Sequence, residues 1–128
     1  MKFITFEKDG KLGIATEISG AFGPCFVSAD ALPPGCVGLK LQTRLNGQVV
    51  QSASISDMVF SVAKLVSILS SFMTLKPCDV IVTGTPSGVG LARKPPLWMK
   101  PGDSVEVEIA EIELLRNPIV AEKTNKLV

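Results

Sequence analysis

Thr83, Thr85 and Ser87 alternate through the run "DVIVTGTPSGVG", Asp79 to Gly90, where three glycines and a proline follow an apolar entry. Hydroxyls and open backbone N–H groups in such a loop can meet an anionic oxygen. A nucleotide cradle of the P-loop kind needs G-x-x-x-x-G-K-[ST], with N–H groups around the phosphates and a lysine reaching their oxygens. Gly84 and Gly88 miss that spacing, Val89 stands in the lysine position and Pro86 has no N–H to offer. Nucleotide binding is therefore excluded. Two readings stay open on the residues alone: an elaborate turn, or a rigid loop at a strand end that presents Thr85 and its neighbouring amides to a ligand.

The second candidate is "VEVEIAEIE". Glu106 and Glu108 lie two apart on an expected strand, so both carboxylates leave one face and could hold Mg²⁺ or Mn²⁺. The simpler reading is the solvated side of a half-buried sheet, with Val105, Val107 and Ile109 turned inward. The chain has no histidine and no tyrosine. Ser-His and Cys-His pairs, zinc-histidine sites and imidazole acid–base work are thus ruled out. Cys25, Cys36 and Cys78 fit no zinc spacing, and without a histidine to activate them they read as free, incidental thiols in a reducing, cytoplasmic setting.

The segments around these groups alternate before they turn helical. "KFITF" and "LGIATEI" flank Asp9-Gly10, a hairpin turn signal, and a short strand "CFVSA" is expected after "SGAFGP". In "LKLQTRLNGQVVQS", Leu39, Leu41, Thr43 and Leu45 share one face, Lys40, Gln42 and Arg44 the other, and Asn46-Gly47 forms the hairpin turn. From Ser56 to Leu75 the apolar spacing predicts one helix of about five turns, capped by Ser56, with Asp57 in its first turn and Pro77 beyond its end. So broad an apolar surface predicts cover by a sheet or a second chain. "DVIVTG", "SVEVEIAEI" and "LLRNPIVAE" read as strands. "KPGD" at Lys100 reads as a tight turn, and its sister "KPCD" at Lys76 puts a cysteine in the glycine slot. The expected fold is mostly β (α+β), with one principal helix on the sheet.

At 128 residues, with 46% apolar and 20% charged side chains, the chain suits a single globular domain. Thirteen basic residues against twelve acidic give no basic stripe, so nucleic acid is not an expected partner. No stretch reaches the ~20 apolar residues that span a bilayer, and the start "MKFITFEKDG" turns polar too early for a signal peptide.

Taken in order, "GPCFVSADAL", "LQTRLNGQVVQSASISDMVFSVAKLVSILSSFMTL", "DVIVTGTPSGVG", "RKPPLWMKPGDSVEVEI" and "LRNPIV" resemble the C-terminal half of the fumarylacetoacetate hydrolase family. The likeness is nearest to its short single-domain members, which include acylpyruvate hydrolases and oxaloacetate decarboxylases. It implies an incomplete β-roll or sandwich, commonly dimeric, and an ancestral chemistry of metal-dependent C–C bond hydrolysis or decarboxylation of diketo and oxo acids. By the same likeness Thr85, with Gly84 beside it, belongs to the substrate pocket. The family's cation ligands (for Mg or Mn), its histidine–glutamate pair and its lysine would fall where this chain has only "EISGAF", Glu17 to Phe22.

The resemblance therefore implies one internally truncated domain over 1–128, with an N-terminal hairpin at 1–20, the C-terminal part of the fold at 21–121 and a tail at 122–128. It implies no cofactor and no catalytic residue in this chain, which would be inactive alone. Its expected partners are a small oxo-acid ligand and a second copy or an intact family member. The alternative is a non-catalytic dimerisation or interaction module, and behind it a remnant without function.

Overall fold

The computed structural model describes residues 23–121, together with the backbone of two preceding strands, β1 (Phe3–Lys8) and β2 (Lys11–Thr16). These two pair antiparallel with Lys8 opposite Lys11, as the hairpin reading expects. The expected turn at Asp9-Gly10, the interval 17–22 and the tail 122–128 lie outside the described residues.

The main sheet is antiparallel, with the order β4-β3-β5-β6. Its strands are β3 (Lys40–Leu45), β4 (Gln48–Ser54), β5 (Ser104–Ile109) and β6 (Glu113–Pro118). Asn46 and Gly47 turn β3 into β4 with φ of +51° and +81°, the doubly positive turn that matches the right-handed twist of a two-strand ribbon. Asn46 also ties this tip to the start of β5. Its Nδ2 donates to Asp103 Oδ1 at 2.9 Å, and its Oδ1 accepts from the Ser104 amide at 2.9 Å.

Alternation sorts the two faces. Leu41, Thr43 and Leu45 register with Ile109, Val107 and Val105. On the other face Arg44 pairs with Glu108 at 2.6 Å and Arg116 with Glu106 at 2.5 Å. The β3–β4 ladder then slips: Thr43 opposes Gln51 while Arg44 opposes Val49, so Val50 is the extra residue of a bulge. A bulge passes its strand's later residues to the opposite face. Without it Val50 would point to the apolar side; with it Gln51 and Ala53 do.

The helix is shorter than its periodicity predicts. Helix α1 covers Val62–Ser70, and Ser61 caps it by accepting from the Lys64 amide. Ser56 is not the cap; its hydroxyl accepts from Gly38 N instead. A separate 3-10 turn, Ile55–Asp57, precedes the helix and closes with a capping box of its own. In that box Ser54 Oγ accepts from Ser56 N and Asp57 Oδ2 accepts from Ser54 N at 2.9 Å. With Ser56 Oγ taken by Gly38 N and Met58 extended at φ −61° and ψ 130°, the α-helix does not reach back to Ser56.

Two expected strands are also absent from the ladders. "CFVSA" and "DVIVTG" have strand composition, yet neither pairs with another segment among the described residues. Strand propensity measures fit to a pleated, half-buried surface, and it yields no strand where no neighbour exists.

The interior is thin. Among the described residues Leu39 alone is buried, at 4% exposure, while Val59 stays 90% and Val82 85% exposed. Helix α1 buries no side chain fully: Val62, Leu65 and Leu69 are half-covered, and Val66 and Ile68 are exposed. No helix among the described residues is long and apolar enough to cross a membrane.

Candidate functional site

The bulge in β4 is the foundation of the site. The register leaves Val50 without a partner residue on β3, and its carbonyl takes a donor from elsewhere. Arg93 supplies it: Nη2 donates to Val50 O at 2.5 Å, and Nε donates to Gly88 O at 3.1 Å. One half-covered guanidinium therefore pins the end of the "TGTPSGVG" loop to the bulge.

Gly88 lies against the same carbonyl. A Cβ there would stand 2.4 Å from Val50 O, and the residue holds φ at +105°. Both the approach and the dihedral demand glycine. Gly90 is similarly enclosed, since a Cβ on it would sit 2.1 Å from Leu97 O. The loop is fastened at three places rather than free, and the segment leading into it forms no strand among the described residues.

The third fastening is Gln51. Its Nε2 donates to Pro86 O at 2.8 Å and to Thr85 Oγ1 at 3.0 Å. So held, the loop forms one wall of a cleft of about 400 Å³. Thr83, Gly84, Thr85 and Ser87 lie along that wall, and Ser52, Ser54, Asp57, Met58, Phe60 and Leu65 are among the residues opposite. The cleft mixes hydroxyls with apolar side chains and contains one carboxylate, Asp57, already bonded to Ser54 N. Gly84 adopts φ of +92°, with open space where a Cβ would be.

The two residues singled out for binding, Thr85 and Gly84, thus share this wall. Glu106 and Glu108 do not join them. Each is paired with an arginine on the charged face of the sheet, where the Glu108 side chain is half-exposed and that of Glu106 is largely covered. The three cysteines are free; Cys78 is exposed, and Cys25 and Cys36 are half-covered.

A divalent cation requires several converging oxygen ligands. Among the described residues no group of three or more His, Cys, Asp or Glu converges, and the cleft offers only Asp57. The described residues do not fit the cation that the resemblance associates with this fold.

Gln51 and Arg93 escape a reading of the sequence because their partners are remote, at separations of 34 and 43 positions. The register signal points the wrong way as well: counted straight back from Asn46-Gly47, Gln51 belongs to the charged face. Only the bulge brings it to the loop.

The family model described as "Fumarylacetoacetate (FAA) hydrolase C-terminal" matches residues 7–120. The mitochondrial oxaloacetate tautomerase Fahd2a of Rattus norvegicus is 40% identical over 113 residues, which cover 88% of this chain and 36% of that protein. The chain therefore spans about a third of the length of the curated relatives it matches. Among solved structures, a fumarylacetoacetate hydrolase from Exiguobacterium antarcticum superposes with a TM-score of 0.74 at 40% identity. That match covers 79% of this chain and 36% of the other. The maleylpyruvate hydrolase of Sphingobium sp. SYK-6, in complex with manganese(II) and pyruvate, gives 0.67 at 31% identity, covering 77% and 34%.

Proposed function

The chain belongs to the fumarylacetoacetate hydrolase family, and from that premise we propose that it carries the ligand loop of the family's pocket as a weak receptor for a small oxo acid, and turns nothing over by itself. The observation that carries this reading is the fastened Thr85 loop on a cleft where the described residues supply no cation ligand set. The substrate class is drawn from the relatives, whose names refer to oxaloacetate, maleylpyruvate and pyruvate.

The groups present support binding more than chemistry. The Thr85 hydroxyl can donate to a carboxylate or keto oxygen, and the backbone beside Gly84 is open to close approach. Asp57 on the same cleft opposes an anion, so weak binding is expected. Cleaving a C–C bond in an oxo acid, or tautomerising one, builds enolate charge. Stabilising that charge takes several kcal/mol from a cation or a set of aimed donors. Thr85 alone supplies too little, and no histidine is present to move a proton.

The test is turnover of oxaloacetate and of an acylpyruvate by the purified chain with Mg²⁺ or Mn²⁺, read by absorbance. No rate above a Thr85→Ala control is expected. A saturable, Thr85-dependent rate would overturn the assignment.

A second reading has its own support. Val59, Phe60, Phe72 and Val82 are all exposed, which is unusual for a freestanding monomer. As an interaction module the chain would cover these side chains with a second copy or with a longer relative. Light scattering of the chain alone, and mixed with such a relative, distinguishes the cases: a discrete oligomer supports the module, and a monodisperse monomer in both rejects it.

A further inference from the structure

The geometry points to Gln51 as the residue that sets which way the Thr85 hydroxyl faces, a positioning role that rests on the ligand-loop reading above. Pro86 is the fixed point. Its carbonyl can only accept a hydrogen bond, so the Gln51 atom 2.8 Å away is the amide nitrogen and not the amide oxygen. That nitrogen has two protons and two neighbours, Pro86 O and Thr85 Oγ1 at 3.0 Å. Both protons are thereby assigned. Thr85 Oγ1 must accept from Gln51, and the hydroxyl's own proton must point elsewhere.

Among the described residues no protein acceptor takes that proton, and Thr85 lies on the cleft wall. Pro86 thus fixes the amide, and the amide turns the hydroxyl so that it donates into the cleft. The ligand atom this arrangement selects is an acceptor oxygen, a carboxylate or carbonyl, rather than an N–H or ammonium group. The bulge at Val50 makes the relay available by placing Gln51 on the same face as Thr43 and Ala53.

A double-mutant cycle tests the relay, with pyruvate as the probe and backbone amide shifts as the readout. In the wild-type chain Thr85→Val is expected to weaken pyruvate binding about tenfold, the loss of one charge-assisted bond. Gln51→Glu replaces the donor with an acceptor, which reverses the Thr85 hydroxyl. In that background Thr85→Val is expected to cost less than about twofold. If Thr85→Val still costs about tenfold beside Gln51→Glu, Gln51 serves only the fold and the positioning role is overturned, while the ligand-loop reading stands.

Where Gln51→Glu does not fold, Gln51→Met supplies the cycle. It frees the hydroxyl rotor, and the Thr85→Val cost is expected to fall to about threefold. An undiminished cost again overturns the relay. Absence of a saturable pyruvate response in the wild-type chain, or equal binding by Thr85→Val, removes the ligand-loop reading itself and the relay with it.

Discussion

Cys78 occupies in one turn the backbone position that Gly102 occupies in another, with φ of +75° and +96°. The two turns close alike. Asp79 N donates to Lys76 O at 3.1 Å and Asp103 N to Lys100 O at 3.0 Å, and each aspartate accepts its lysine's amide at 2.7 Å. The left-handed region costs a side-chain-bearing residue roughly 1–2 kcal/mol.

Cys78→Gly is therefore expected to stabilise the chain by about 1 kcal/mol, part of the strain relief being offset by glycine's greater unfolded freedom. Since Cys78 is exposed, no packing is lost. A urea midpoint that stays unchanged or falls refutes the strain; Gly102→Ala should move it the opposite way.

Gly88→Ala tests the fastening of the loop. The added methyl meets Val50 O at 2.4 Å and the residue must keep φ at +105°, so a loss of about 2–4 kcal/mol is expected. Thermal unfolding followed by circular dichroism measures it. A loss below about 0.5 kcal/mol would mean that the loop does not rest on the bulge.

The sheet was legible because its signals are local. Asn46-Gly47 fixes a hairpin within two residues, and alternation from Ser104 to Ile109 fixes which side chains face inward. The site was less so. Thr85 and Gly84 stood out through the loop's composition and the family likeness, whereas Gln51 and Arg93 act only once a one-residue slip has reassigned the face of β4. Apolar spacing overextends the helix because it cannot see Ser54 and Asp57 closing a turn of their own. "DVIVTG" failed as a strand because a ladder is a property of two segments, and its composition describes one.

Asp103 links the turn to acid stability. Hydrogen bonds from Asn46 and from the Lys100 amide hold its carboxyl below the ordinary aspartate value. A lowered folded pKa means that the stabilisation is present above the unfolded value, near 3.9, and is lost as pH falls through the folded one. Asp103→Asn should leave a shallower fall in stability below about pH 4 than the wild-type chain shows. Identical acid limbs in the two urea-midpoint profiles would dismiss the linkage. Asn46→Ala should flatten the limb in the same direction.

Val59→Lys and Val82→Lys test the exposed apolar side chains, at 90% and 85% exposure. Neither substitution disturbs a packed interior, so folding stability should change by less than about 0.5 kcal/mol. Light scattering should show weaker self-association in both. Association that is unchanged by either lysine would place the contact on another surface.

The close approach of Gly88 to Val50 divides the loop into letters that can be rewritten and letters that cannot. Glycine is compulsory there and at Gly90, because both are wedged against carbonyl oxygens. Positions 83, 85 and 87, all bordering the cleft, are under no such restriction. On the proposed ligand-loop reading, a lineage inheriting this scaffold could change what the cleft accepts by altering alternate residues only, with the backbone trace acting as an unchanging template.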